Sequence, residues 1–191
     1  MFGQMFSEID KTAAIVQWGF VIGACLIAAI WDMRTRRIPN WLSIPLLAGG
    51  FVFAVWTGGL YGIAEAVGAC FLLAFPFLLL FLFAGGGAGD VKLMAAIGAW
   101  LGFRQGVVVL FCVAAAGVVL ALVKAIMGKR FKSVIKNIFI SVYVFVVSVL
   151  FHKFRPAVVK ETVMPDSDAL IVPYGAAILA GVCIAGGIIL L

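Results

Sequence analysis

Apolar positions along the chain gather into seven runs, 13–31, 41–56, 62–84, 91–101, 106–127, 138–151 and 171–191, separated by links richer in glycine, polar and charged residues. A run of about 17 to 25 residues can cross the hydrocarbon of a bilayer as a helix, whereas 10 to 14 residues suit a half-helix, a re-entrant segment or a helix lying in the interface. The pattern therefore predicts an all-α polytopic membrane protein with about six transmembrane helices and an extra interfacial or re-entrant helix. The extra helix is expected over 138–151, which is marginal in length and has basic residues at both ends. The first run is long for a secretory segment and is followed by arginines, so it reads as a retained helix. The run 91–101 is expected to cross as a short, tilted helix, with 102–105 on the far side.

Composition agrees with the pattern. The 191 residues are 65% hydrophobic and 12% charged, with a mean hydropathy of +1.25, whereas a soluble domain carries about 25% charged residues. Five to seven crossings use up this length, so a single integral-membrane domain over 1–191 is expected. The net charge of +6 does not point to nucleic acid, because the basic residues sit beside apolar runs, as in cytoplasmic loops. Arg34, Arg36 and Arg37 put the first link in the cytoplasm and Glu8 and Asp10 outside. Lys124, Lys129, Arg130, Lys132 and Lys136 mark a second cytoplasmic link. Counting crossings then brings Asp32 and Asp90 to the same cytoplasmic boundary. Cys25, Cys70, Cys112 and Cys183 stand singly in apolar segments with no CxxC pair, as small core residues do.

Acids in or beside apolar runs carry the chemistry, because a charge at the bilayer centre costs about 2.5 to 3.5 kcal/mol even on lenient scales. Before the basic link at Lys129 these are Asp32, Glu65 and Asp90. Glu65 lies near the outer end of its run, where it reaches water or headgroups. Asp32 has a bland reading as a helix-end carboxylate paired with the arginines, worth at most about 1 kcal/mol. Asp90 has one as a helix N-cap. A cap does not explain "AGGGAGD", residues 84–90. Glycines let another backbone lie close, and the stretch is expected to form a floor for an extended peptide. Two aspartates brought together share a proton and can hydrolyse an amide without a metal or cofactor. Asp90 opens a helix and Asp32 ends one, so the helix dipoles suggest Asp90 as the ionised base and Asp32 as the proton holder. "IVPYG", with Pro173 and Gly175, marks a further break expected at the same face. His152 reads as a surface residue, and no Ser elbow, Walker loop or HExxH occurs. A proton-coupled transporter with the aspartates as a relay, or a structural subunit, are the alternatives from other classes.

The pairing of "DMRTRRIPN" (Asp32, Ile38, Pro39, Asn40) with "GAGDVKL" (Gly87, Gly89, Asp90, Lys92, Leu93) resembles the two signature motifs of the type IV prepilin peptidases, polytopic GxGD aspartic proteases. "VPYG" is similar to that family's proline-aromatic-glycine segment, with Ala176 where a second proline often follows. The resemblance covers the chain from about residue 13 onward. It implies Asp32 and Asp90 as the catalytic pair, supported by Gly87, Gly89, Lys92, Pro39, Asn40, Pro173 and Gly175. The implied substrates are prepilin-like membrane proteins with a basic leader, cut at the cytoplasmic boundary of the inner membrane. Larger members carry a cysteine-rich insertion and N-methylate the new terminus. Here the link 33–41 is too short for that insertion, so the resemblance implies a peptidase without methyltransferase activity, as in small members serving Flp-type pili or preflagellins.

Overall fold

The computed structural model describes residues 2–35, 37–84, 87–127 and 174–190. Four α-helices run through them: α1 (Phe2–Thr35), α2 (Asn40–Ala84), α3 (Ala88–Met127) and α4 (Tyr174–Leu190). The expected helix over 138–151, and Pro173 with it, lie outside the described residues. Helix α1 begins at Phe2, well before its apolar run, so the stretch with Glu8 and Asp10 is helical rather than a separate tail.

Helices α2 and α3 are each too long for a single crossing, and each is broken by one glycine. Gly59 has φ 56° and ψ −137°, and Gly102 has φ 70° and ψ −178°. Positive φ is the left-handed region that glycine enters without a Cβ penalty. Both breaks reverse the chain. At the first, a Cβ on Gly62 would run into the carbonyl oxygen of Ala54, a contact impossible in a straight helix, where residues eight apart are about 12 Å apart along the axis. At the second, Gly98 lies against Ala69, Gly102 against Glu65 and Gly106 against Leu73. The partner positions on α2 first descend and then rise, so the two arms of α3 pass the same stretch of α2 in opposite directions. The polar turn expected over 102–105 thus narrows to Gly102 alone. The arm 88–101 rises only about 21 Å, which fits the short crossing expected from the run 91–101.

Small residues set the spacing between the helices. Helix α4 runs antiparallel to α1, with Gly175 against Asp32 and Gly186 against Trp18, and Gly181 seats α4 on Val113 of α3. Trp18, Leu73, Leu93, Met94, Ile97, Ile178, Val21, Val109 and Val182 are almost wholly enclosed between them. Trp100 locks the first arms of α2 and α3: its indole N–H donates to the Leu46 carbonyl at 2.7 Å, and its ring stacks with Phe20 and Phe53 at 5.2 and 5.3 Å. Phe71, Phe75, Leu82 and Phe111 point outward, as lipid-facing side chains do. Among the described residues three helices, α1 to α3, contain stretches long and apolar enough to cross a membrane.

Candidate active site

At one end of the bundle the two sequence motifs meet. Pro39 closes the link between α1 and α2: its fixed φ suits a helix start, and its carbonyl accepts the N–H groups of Leu42 (3.2 Å) and Ser43 (3.4 Å) and the Ser43 hydroxyl (3.2 Å). Asn40 then opens α2, and its Oδ1 accepts a hydrogen bond of 2.9 Å from Lys92 Nζ on α3. Ile38 lies flat on the second motif. A Cβ on Gly89 would sit 2.8 Å from Ile38 Cβ and 3.2 Å from its nitrogen, so position 89 has no room for a side chain. This corrects the glycine floor expected for a substrate strand. At Gly89 the backbone that lies close is the protein's own, and Gly87 is the exposed glycine left on that surface; 85 and 86 lie outside the described residues.

Asp90 stands in the first turn of α3. Its N–H donates to the Gly87 carbonyl at 3.2 Å, and its Oδ2 lies 2.9 Å from where a Gly87 Cβ would be, so the carboxyl folds back over the glycine. Asp90 is thus the third residue of α3, folded back toward Gly87, rather than the N-cap expected from sequence; Gly87 takes the cap position. Asp32 lies one turn before the end of α1, and the Gly175 N–H at the start of α4 donates to its Oδ2 at 2.9 Å. Asp32 and Asp90 are each only 8% exposed, and among the described residues they are the two buried carboxyls, accompanied by the neutral Ser43. Each carboxyl is within Coulombic reach of the other, and Tyr174 is within reach of Asp90.

Three segments far apart in sequence therefore converge: the end of α1 with the link after it, the GxGD turn and the start of α4. Arg34 and Arg37 are exposed at the same end. Sequence reasoning named the glycines and Pro39 but missed Ile38 as the residue that fills Gly89, Ser43 as the buried hydroxyl that donates back to the Pro39 carbonyl, and Tyr174. The signal for Tyr174 was its place between Pro173 and Gly175. Among the described residues no group of three His, Cys, Asp or Glu side chains comes together.

A family model for the type IV leader peptidases matches residues 19–122, which is more than half of the chain and takes in both aspartates and the whole of both motifs. The chain belongs to the type IV leader peptidase family. Curated relatives include the prepilin leader peptidase/N-methyltransferases of Burkholderia pseudomallei strain K96243, 34% identical over 61% of this chain and 40% of the relative, and of Escherichia coli K12, 30% identical over 65% of this chain and 56% of the relative. That of Neisseria gonorrhoeae is 33% identical over 59% and 42%. This leader peptidase family member thus matches about half the length of those relatives. No solved structure matches it significantly.

The bond between Lys92 and Asn40 joins the two family motifs and can be tested apart from chemistry. Lys92→Met is expected to lower stability by about 0.5 to 1 kcal/mol, the low end for a hydrogen bond because the pair is exposed. Asn40→Ala should cost the same, and the double variant little more, read as midpoints of thermal unfolding in detergent.

Proposed function

We propose that this chain is a membrane aspartic endopeptidase that removes the basic leader peptide from prepilin-like precursors at the cytoplasmic boundary of the inner membrane. The observation that carries the reading is the burial of Asp32 and Asp90 within Coulombic reach of each other, held by two motifs that dock through Ile38 against Gly89 and Lys92 to Asn40. The names of the curated relatives support the substrate class, and the exposed Arg34 and Arg37 support a cytoplasmic face.

Both carboxyls meet the start of a helix, Asp90 that of α3 and Asp32 that of α4, and the roles are assigned on the bond that Asp32 gains from outside its own helix. By local position Asp32 faces only the unfavourable end of its own helix. In the fold the N-terminus of α4 is aimed at it, and an N–H at a helix start is best matched by a carboxylate. Asp32 is therefore the base in this proposal and Asp90 the acid, the reverse of the sequence expectation. Gly175 fixes Oδ2 of Asp32 and leaves Oδ1 to take a proton from water as the water oxygen bonds to the scissile carbonyl carbon. Asp90 gives its proton to the carbonyl oxygen, which yields a neutral gem-diol. On collapse the C–N bond breaks, Asp32 passes its proton to the departing nitrogen, and Asp90 recovers one from the diol. The pair is restored with one water consumed.

The short link between Thr35 and Asn40 supports peptidase activity without N-methylation, although the relatives' names carry both. The test mixes the purified chain with a prepilin bearing a basic leader, with and without a methyl donor, and weighs the product. Release of the leader with an unmethylated new terminus is the expected result. An intact precursor would overturn the peptidase reading, and a methylated terminus its second half.

A further inference from the structure

At the end of the bundle away from the aspartates, polar groups gather that the proposed chemistry does not use. Gln17 and Asp32 are about 22 Å apart along α1, and near Gln17 the breaks at Gly59 and Gly102 come together around a cavity of about 320 Å³. Its lining holds one charged residue, Glu65, with Gln17, Thr57, Tyr61, Trp100 and Gln105 as its other polar side chains.

Three donors of this lining are committed elsewhere. The Thr57 hydroxyl donates to the Phe53 carbonyl at 2.9 Å, the Trp100 indole to Leu46, and the Gln17 amide to the Trp100 carbonyl. Gln105 Oε1 is buried and has no hydrogen-bond partner among the described residues. The Glu65 carboxylate leans over Gly102, with Oε1 3.0 Å from where a Cβ would be; the side chain missing at the break is what leaves it room. Beside the Tyr61 hydroxyl and the Gln105 amide N–H groups, the cavity thus offers acceptors and its one charge, the Glu65 carboxylate. A primary ammonium is the complement, since it brings three donors, no acceptor and a positive charge. A trimethylated ammonium has no N–H to give.

The depth of the cavity suggests the source. Trp56, Leu60 and Tyr61 stand exposed around the Gly59 break, and Trp and Tyr collect at the headgroup level of a bilayer. Arg104, exposed and next in the chain to Gln105, adds a cation on the same turn of helix. We propose that this cavity binds the primary ammonium of an ethanolamine phospholipid headgroup.

The experiment is native mass spectrometry of the full chain released from micelles containing equal amounts of phosphatidylethanolamine and phosphatidylcholine with identical acyl chains. Wild type is expected to retain the ethanolamine lipid over the choline lipid by roughly tenfold, the worth of one charge-assisted hydrogen bond. Stepwise N-methylation of the lipid should erode the preference, and Glu65→Gln should bring it near parity. Gln105→Leu, which keeps the charge, should reduce it in part, and it carries the test if Glu65→Gln does not accumulate. Equal retention of the two lipids by wild type, or an undiminished preference in Glu65→Gln, would overturn the site. Displacement of the bound lipid by free ethanolamine at matched concentration would overturn the lipid as its source. Leader cleavage at the other end of the bundle serves as an independent check that each variant is folded.

Discussion

Asp32→Asn and Asp90→Asn are each expected to abolish leader release, with turnover lowered by roughly 10³-fold or more, within the range for losing a positioned acid or base. Asparagine matches aspartate in shape, so the variants separate chemistry from packing. In Asp32→Asn the amide oxygen still accepts the Gly175 N–H, but the side chain no longer takes a proton from water. In Asp90→Asn the turn at Gly87 is closed by a backbone bond that the substitution leaves alone, while the acid is gone. Neither change should lower the thermal midpoint. Removing one of two neighbouring buried carboxyls relieves desolvation and like-charge cost, so the midpoint is expected to hold or rise. Cleavage of a prepilin, followed by the mass of the released leader, is the measurement. A variant that keeps a tenth of wild-type turnover would sink the two-aspartate mechanism, and loss of both activity and the unfolding transition would assign the residue to the fold instead.

Much of the bundle was legible because lipid demands it. Continuous apolar runs, "TGGLYG" near Gly59 and the interruption near Gly102 are visible in the residues, since a helix in hydrocarbon has little freedom to do anything but continue or break at glycine. The extent of each break was not. Whether one residue or four leave the helix depends on what packs across the turn, and here Glu65 over Gly102 and Leu73 against Gly106 hold the helix close on either side. The site was legible to the same degree. A buried acid after glycines is costly and therefore informative, which picked out Asp90 and, with the arginine link, Asp32. What the glycines contact was not readable. The stretch around Gly89 could as well have received a substrate, and only the fold shows Ile38 lying there.

The same limit bears on the roles proposed for the two aspartates. Local position gave Asp32 the negative end of its own helix, but the group that meets it comes from a residue 143 positions away. No periodicity in α1 announces the start of α4.

Gly175→Ala should therefore impair the enzyme out of proportion to one methyl group. A Cβ at 175 would lie 3.0 Å from both Cβ and Oδ2 of Asp32 and 3.3 Å from the Ala29 Cα. Two of these three atoms belong to, or are directly fixed by, the backbone of α1, so the start of α4 must yield. Overpacking of this kind costs about 1 to 3 kcal/mol, and the displacement lengthens the 2.9 Å bond that orients the carboxyl. Turnover is expected to fall about 10- to 100-fold, since small misplacements of a reacting group carry penalties of that order. KM should be nearly unchanged, because Gly175 touches the carboxyl and not, in this proposal, the substrate. Gly187→Ala is the matched control in the same helix: a Cβ there meets nothing within 4 Å, and its kinetics should equal wild type. A Gly175→Ala enzyme with wild-type turnover would show that Asp32 holds its position without the start of α4. A rise in KM at constant turnover would place Gly175 in contact with the substrate instead.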